Sequence, residues 1–445
     1  MATPSSQSAS RGPDPGTVEL YRRRWESLPE VARTPGQLLG VGAVACGATH
    51  SVLERCNLAC SSCYLADDAN STRPAPFEEV AAQLAHLREE LGAGGKVQIT
   101  SGEVTLLDVD ELGRIVAHAL ELGLDPMVMT NGTRFAKDPG YLKRLVEVYG
   151  LEKVSFHVDS TMRGRPELRE GASEAELNAL RGTYADLVRL VRRETGKPVR
   201  AALTTTVHPG NLEGVADVAR FAFENADAFR IVSFLPTADV GRTEDDGGEV
   251  GLDSLWERVC RPVGRVLNPR AMQFGHPECN LTVPVLIAGR GERREILEIV
   301  RPGDARDSAA FELALATFAR RLPTERGAVA NVWAAAGVLL KRPRTLARLT
   351  GWALGRAWGH RAPLLRALGR ALALRSIELR PLLLVVHRFM DADELDTPVG
   401  RERLEACAFK LSVDGRLVSM CELNAGGGRE ALTAALLEKQ RRQAS

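Results

Sequence analysis

Several absences bound this chain of 445 residues before any motif is considered. No uninterrupted apolar run reaches the ~18 residues that mark a membrane-spanning helix. There is no excess of charge of either sign: 58 Lys and Arg stand against 57 Asp and Glu, a net charge of +1. That gives no global case for a nucleic-acid partner, and none is expected. No internal sequence repeat is present beyond an alternation of elements. Residues Met1 to Gly16 are rich in Ser, Pro and Gly and lack an apolar signal core, so a disordered tail (1–20) and no secretion are expected. Eight cysteines are too few for a disulfide scaffold in a chain this long, and in a reducing cytosol clustered thiols are metal ligands rather than disulfides. A cytoplasmic protein is the expectation. With 44% hydrophobic and 26% charged residues, the rest of the composition is that of an ordinary globular protein.

What is present is concentrated at Cys56-Asn57-Leu58-Ala59-Cys60-Ser61-Ser62-Cys63-Tyr64. Three thiols at Cys-x3-Cys-x2-Cys let one short loop offer three sulfurs to one inorganic centre. Thiolates are the usual ligands of iron–sulfur clusters, and three of them leave one iron of a four-iron cluster open. A zinc site with a fourth residue is the competing reading of the spacing alone.

Around that loop the chain alternates strand and helix. After a lead-in segment (21–47) with a helix and irregular structure, Thr49 to Glu54 reads as a first strand ending at the cysteines. Phe77 to Leu91 reads as a helix, with Val80, Leu84, Leu87 and Leu91 at helical spacing after Pro76. Further strands are expected at Lys96 to Thr100, Pro126 to Thr130, Lys153 to Asp159, Val199 to Val207 and Phe229 to Leu235. Helices fall between them: one capped by Asp108, one around Tyr141 to Val148, one opened by a Ser173/Glu176 capping box and ended by Gly196, and Leu212 to Glu224. Strand–helix alternation argues for a parallel sheet with its chemistry at the C-terminal strand ends. The cysteines, Ser101-Gly102-Glu103, Thr130-Asn131-Gly132, His157 with Asp159, and Thr205, Thr206 and Asn211 all fall at such ends. Cys46 is either a buried thiol or an extra metal ligand.

With motif, order and placement in agreement, the chain resembles the radical S-adenosylmethionine (SAM) superfamily over about residues 50–240. The resemblance implies an α/β fold, a partial six-stranded (β/α)6 TIM-like barrel (48–240). It implies a [4Fe-4S] cluster on Cys56, Cys60 and Cys63, SAM chelating the open iron, and a 5′-deoxyadenosyl radical that abstracts hydrogen from substrate. Ser101-Gly102-Glu103 matches the superfamily's Gly-Gly-Glu stretch near the SAM amino group. Asn131, Asp159 and Thr206 are candidate ribose or carboxylate contacts, and Leu235-Pro236 is placed near the adenine. Two positions depart from the pattern: Val104 stands where proline is usual, and Ser62 where an aromatic often precedes the last cysteine, with Tyr64 placed to take over that packing.

Beyond the barrel, three blocks stand out: Gly275-His276-Pro277-Glu278-Cys279 within a linking region (241–300), His387-Arg388-Phe389-Met390-Asp391-Ala392, and Cys407 to Asn424 around Asp414-Gly415, the last two within 386–430. The Asp-Gly pair signals a β-hairpin. A three-residue loop, Val413 to Gly415, sets Cys407 opposite Cys421 on one face; a two-residue loop slips the register and separates them. The three-residue loop is the expectation, with Cys279 as third ligand of an auxiliary centre, a disulfide between the hairpin pair as rival, and His276 structural. The three blocks resemble the branch of archaeal tetraether lipid synthases and pterin-linked, cobalamin-independent radical methylases, which implies an auxiliary iron–sulfur cluster. The cysteine-rich N-terminal element of many relatives is missing, and Ser419-Met420 stands where Pro-Phe is usual. Neither a multi-cysteine tail nor a cobalamin-binding Asp-x-His-x-x-Gly motif is present.

Between these blocks lies an insertion (301–385). From Arg320 to Arg380 it carries thirteen Lys or Arg against two Glu. Trp333, Leu339, Leu340, Leu346, Leu349, Trp352, Leu364, Leu365, Leu368 and Leu372 interleave with Arg344, Arg348, Arg356, Arg361, Arg366 and Arg370. Three readings are open for these amphipathic helices: an anionic membrane interface, with the protein peripheral at the inner face of the membrane; a basic-faced cap over the barrel mouth; or nucleic acid, though no nucleic-acid-binding module accompanies the charge. Residues 431–445 form a tail. The expected activity is hydrogen abstraction at an unactivated C–H position of a lipid or long apolar substrate with carbon–carbon bond formation, served by an electron donor such as ferredoxin or flavodoxin. The alternatives are a radical methylase of a pterin-like small molecule, and a non-catalytic iron–sulfur sensor.

Overall fold

The structure, a computed structural model, describes residues 15–165, 169, 171–244, 248–289, 294–318, 336–359 and 379–444. Its centre is one sheet built from β1 (Cys46–Ala48), β2 (Lys96–Ile99), β3 (Asp125–Thr130), β4 (Lys153–His157), β5 (Arg200–Val207), β6 (Phe229–Pro236), β7 (Asn280–Ala288), β8 (Glu295–Glu298), β9 (Leu379–His387), β10 (Phe409–Val413) and β11 (Arg416–Ser419). The order across it is β11-β10-β1-β2-β3-β4-β5-β6-β9-β7-β8. From β10 through β1–β6 to β9 every pairing is parallel. The expected six-stranded α/β barrel core is therefore present and is extended by one parallel strand on each side. Antiparallel β11 and the β7–β8 pair form the margins.

The helices form where the apolar spacing puts them. Phe77–Leu91 buries Val80, Leu84, Leu87 and Leu91 on one face and stops at Gly92, whose φ of 79° favours glycine. Val109–Glu121 and Glu174–Thr195 each open on a complete capping box, Asp108/Glu111 and Ser173/Glu176. The second ends at Gly196 in the left-handed region. These apolar faces and the inner strand residues make one large core.

Four expectations need correction. The first strand is Cys46–Ala48, not Thr49 to Glu54. Residues 49–55 still follow β2 and its extension, since Thr49 N donates to Gln98 O at 3.0 Å and Gly102 N to Leu53 O at 2.9 Å. Ser51, however, has a φ of 54° and breaks the ladder, held by the Glu54 carboxylate at 2.8 Å from its N. Cys46 is accordingly a buried strand thiol, raised by burial to about 11. Second, the helix Pro15–Glu26 begins inside the span expected to be a tail; residues 1–14 lie outside those described. Third, 431–445 is no loose tail: Gly428–Ala444 is a helix, docked through Lys439 to Glu79 at 2.6 Å and Arg429 to Glu54 at 3.3 Å. Fourth, the hairpin has a two-residue turn. Val413 pairs with Arg416, and Asp414 and Gly415 both have positive φ, 47° and 71°, the geometry that matches strand twist.

Of the basic insertion, Trp333, Arg361, Leu364, Leu365, Arg366, Leu368, Arg370 and Leu372 lie outside the described residues. Within them, Pro343–Gly359 is a helix beside Ala305–Phe318. Trp352 Nε1 donates to Asp307 Oδ1 at 2.9 Å and Arg356 binds Glu298 O, so both side chains are tied to the body. Leu354 and Trp358 are 65% and 72% exposed, leaving apolar side chains on the outside of a basic helix, and Leu340 just before it is 74% exposed. No described helix is long and apolar enough to cross a membrane.

Candidate functional site

The C-terminal strand ends enclose a cavity of about 230 Å3. Cys56, Cys60 and Cys63 line it together with Ser101, Gly102, Glu103, Asn131, Thr206, Leu235 and Pro236. One loop thus brings three thiols to the groups expected to face SAM.

The loop is pinned by backbone rather than by its thiols. Ala59 N donates to Arg163 O at 3.0 Å, Ser61 N to Thr161 O at 2.9 Å, and Cys63 N to Thr243 Oγ1 at 3.0 Å. Tyr64 Oη donates to Ser101 O at 2.6 Å, and the Arg429 guanidinium lies 4.9 Å from the Tyr64 ring centre. Tyr64 therefore ties the loop to the β2 end. Burial raises the Cys56 thiol to about 11 and raises Cys60 also. Such thiols resist ionisation in protein alone, and a metal centre that supplies positive charge turns them into ligands.

Glu103 is buried and saturated on one side. Its Oε1 accepts from Thr105 N at 3.1 Å, Thr105 Oγ1 at 2.5 Å and Thr130 Oγ1 at 2.7 Å, while Oε2 accepts only Asn131 N at 2.6 Å. Burial pushes its carboxyl up, and these donors oppose the shift. Oε2 keeps acceptor capacity for a ligand ammonium. Asn131 lines the cavity and also braces its wall: Nδ2 donates one hydrogen to Asn57 Oδ1 at 2.8 Å, inside the cysteine loop, and Oδ1 accepts Thr133 N at 3.0 Å. It positions the loop. Asp159 does not line the cavity, contrary to its expected role. Its oxygens are taken by Thr161 N at 3.0 Å, Thr161 Oγ1 at 2.5 Å, Thr206 N at 2.7 Å and His157 Nε2 at 2.7 Å. Burial would raise the Asp159 carboxyl, but the His157 charge and these donors hold it well below the carboxylate range.

His157 itself lines the cavity. Its Nε2 also lies 3.0 Å from Thr206 Oγ1. Through these contacts at Nε2, Asp159 and Thr206 fix the orientation of the His157 ring. The sequence marked His157 as a strand end but not as a cavity wall. Four of the seven methionines, Met129, Met162, Met390 and Met420, also face this space, as does Phe389. Nothing in their spacing shows that they converge.

Cys421 lines the same cavity. In the two-residue register strand alternation would part it from Cys407, but β11 ends at Ser419 and a helix, Met420–Ala425, begins there and re-aims it. Cys407, Cys421 and Cys279 are all buried and unbridged. Burial raises Cys421, with Cys407 and Cys279 adding to the shift, and raises Cys279 to about 11. Each has a polar neighbour: Arg403 Nε at 3.2 Å from Cys279 Sγ, Ser419 Oγ at 3.0 Å from Cys407 Sγ, and Met390 N at 3.5 Å from Cys421 Sγ. His276 is buried in the turn before Cys279, its Nδ1 accepting Glu278 N at 3.1 Å. Among the described residues no three His, Cys, Asp or Glu side chains close on a single metal ion. A four-iron cluster spreads its thiolates more widely than one ion does.

His387 closes the seam between β9 and β10, its ring 4.6 Å from Phe409 and 4.9 Å from Phe389. Burial, then the Arg403 charge, push its imidazole from 6.5 down to about 3. A depressed folded value means that the stability it contributes is complete above 6.5 and lost as pH falls toward 3. The slope is about 1.4 kcal/mol per pH unit for one such group. Urea unfolding of anaerobic apoprotein between these limits is expected to be less pH-dependent in His387→Leu. Equal slopes would contradict this account.

A parallel α/β barrel with a three-thiol loop over its strand ends defines the class of domain. Residues 51–222 match the family model described as Radical SAM superfamily, and the chain contains a domain of that superfamily. The cofactors of such a domain are a [4Fe-4S] cluster and SAM. Among solved structures, Streptococcus suis SuiB is similar at 15% identity and TM-score 0.35, over 49% of this chain and 46% of that one. AdoMet-bound anSMEcpe is similar at 13% and 0.36, over 48% and 58%. The FeFe-hydrogenase maturase HydG from Carboxydothermus hydrogenoformans is similar at 13% and 0.34, over 56% and 55%. The chain spans about half the length of each. No curated protein matches it.

Proposed function

We propose that the protein is a radical SAM enzyme that abstracts hydrogen from an unactivated C–H position of a lipid or other long apolar substrate and forms a carbon–carbon bond. The observation that carries the substrate class is the cavity wall: Met129, Met162, Met390, Met420 and Phe389 line it beside Ser101, Glu103 and Thr206. Methionine is unbranched and adaptable, suited to a flexible chain without fixed polar anchors. Cys56, Cys60 and Cys63 would hold the [4Fe-4S] cluster. Bound together, cluster and SAM supply hydrogen-atom abstraction. Ser101, Gly102, Glu103 and Thr206 would hold SAM, Glu103 through the free side of Oε2. Asn131 would act behind Asn57, and Asp159 behind His157. Leu235 and Pro236 give an apolar surface for the adenine.

Cys279, Cys407 and Cys421 would ligate an auxiliary iron–sulfur cluster that forms the wall opposite the first. An external one-electron donor of the ferredoxin or flavodoxin class would supply reducing equivalents. The exposed apolar side chains of the basic helix support a peripheral site on an anionic membrane surface, on the cytoplasmic side. Flotation with phosphatidylglycerol vesicles tests this: the full chain is expected to float with them and not with phosphatidylcholine. Failure to bind either would overturn the lipid reading and favour a radical methylase acting on a pterin-like small molecule under a closed cap.

A further inference from the structure

Arg242 is a partly buried cation whose guanidinium meets Cys63 and leaves two of its three nitrogens without a partner. Its Nε and Nη2 are buried and meet no hydrogen-bond acceptor. Its main chain is fully engaged: the N donates to Cys63 O at 3.0 Å and Leu65 O at 3.1 Å. Neighbours complete this clamp. Thr243 Oγ1 accepts Cys63 N at 3.0 Å, and Glu244 N donates to Ser61 O at 2.7 Å. Gly241, at a φ of +55°, lies so close that a Cβ would sit 2.5 Å from Tyr64 C. Backbone and Thr243 thus hold the cysteine loop, and the guanidinium is not needed for that.

Nor do the acids around the cavity neutralise it. Glu103 and Asp159 are committed to the donors described above, and Glu244 pairs with Arg163 at 2.7 Å. An unpaired buried donor on a cation costs free energy in the protein alone. The bond from Arg242 N to Cys63 O at 3.0 Å sets these two orphaned donors at the cysteine loop, and the anion they await is the thiolate-bound centre there.

We propose that Arg242 is an electrostatic positioning residue for the [4Fe-4S] cluster: its guanidinium stands beside Cys63 and stabilises the reduced state, raising the reduction potential. This rests on Cys56, Cys60 and Cys63 being the cluster ligands. One electron, from the external donor, adds a negative charge to a centre that is already anionic. Charge and hydrogen bonds at the sulfurs are the levers that set such potentials.

The test is a potentiometric titration followed by electron paramagnetic resonance, on the full chain reconstituted anaerobically with iron and sulfide. The signal followed is the one that changes when SAM is added. In Arg242→Gln the equilibrium constant for reduction is expected to fall about tenfold, equivalent to ~59 mV for one electron. Arg242→Lys, which keeps the charge, is expected to recover most of that shift. Iron content and melting temperature should match the wild type in both. Equal potentials in all three proteins overturn the proposal, as does loss of the cluster from both variants, which would mark a structural role. If no signal in the wild type responds to SAM, the failure lies instead in the assignment of the cysteines.

Discussion

Replacing Cys56, Cys60 and Cys63 together by alanine is expected to abolish formation of 5′-deoxyadenosine from SAM while leaving the protein folded. The two halves of that expectation have separate causes. The loop keeps its shape through main-chain bonds from Ala59, Ser61 and Cys63, none of which needs a sulfur. The contact of Cys56 Sγ with Asn57 Oδ1 is 4.0 Å long and adds little. Thermal unfolding of the apoprotein should therefore change little. Iron content should fall by one four-iron cluster, and the iron that remains should be lost only when Cys279, Cys407 and Cys421 are replaced as well. A triple variant that still cleaves SAM would remove the assignment of these ligands.

Gly102→Ala is expected to damage the site from beneath. A Cβ there would sit 2.2 Å from Arg55 O and 2.4 Å from Glu54 O. Both are backbone atoms at the root of the cysteine loop, so no side chain can turn away to make room. The loop root would have to leave β2's extension, where Gly102 N meets Leu53 O at 2.9 Å and Glu103 N meets Arg55 O at 2.8 Å. Overpacking of this kind costs about 1–3 kcal/mol. The larger effect is on geometry, since Glu103 and the thiols would shift apart. SAM affinity of the reconstituted protein is expected to drop about tenfold, for ~1.4 kcal/mol of lost interaction. Gly182→Ala, where a Cβ meets nothing within 4 Å, serves as the control. Wild-type affinity and stability in Gly102→Ala would contradict the fit described here.

The central strands and helices were legible because each carries its own local signal. Leu84 and Leu87 mark a helix face whatever the partner, and Ser173 with Glu176 marks a start. The edge was harder to read. Cys46–Ala48 is three residues long and gains strand identity only from β2 and β10 on either side. The strand expected just after it is broken by one backbone angle at Ser51, which no propensity reveals. That Leu379–His387 pairs with β6 is a tertiary choice between segments far apart in the chain. At the site, the thiol spacing and Ser101-Gly102-Glu103 were visible because one loop and one strand end carry them whole. The Thr130 and Asn131 donors on Glu103, the Thr206 donor on Asp159 and the bond from Arg242 N to Cys63 O each join distant segments. Cys421 shows the limit too: the register expected to set it opposite Cys407 is one the protein does not adopt.

The most direct measurement is anaerobic incubation of the reconstituted full chain with SAM and dithionite, with and without a phospholipid extract, and chromatography of the products. The account predicts 5′-deoxyadenosine and methionine, with faster formation when the extract is present. No 5′-deoxyadenosine under either condition, from protein carrying a full complement of iron, would contradict it and leave an iron–sulfur sensor in its place.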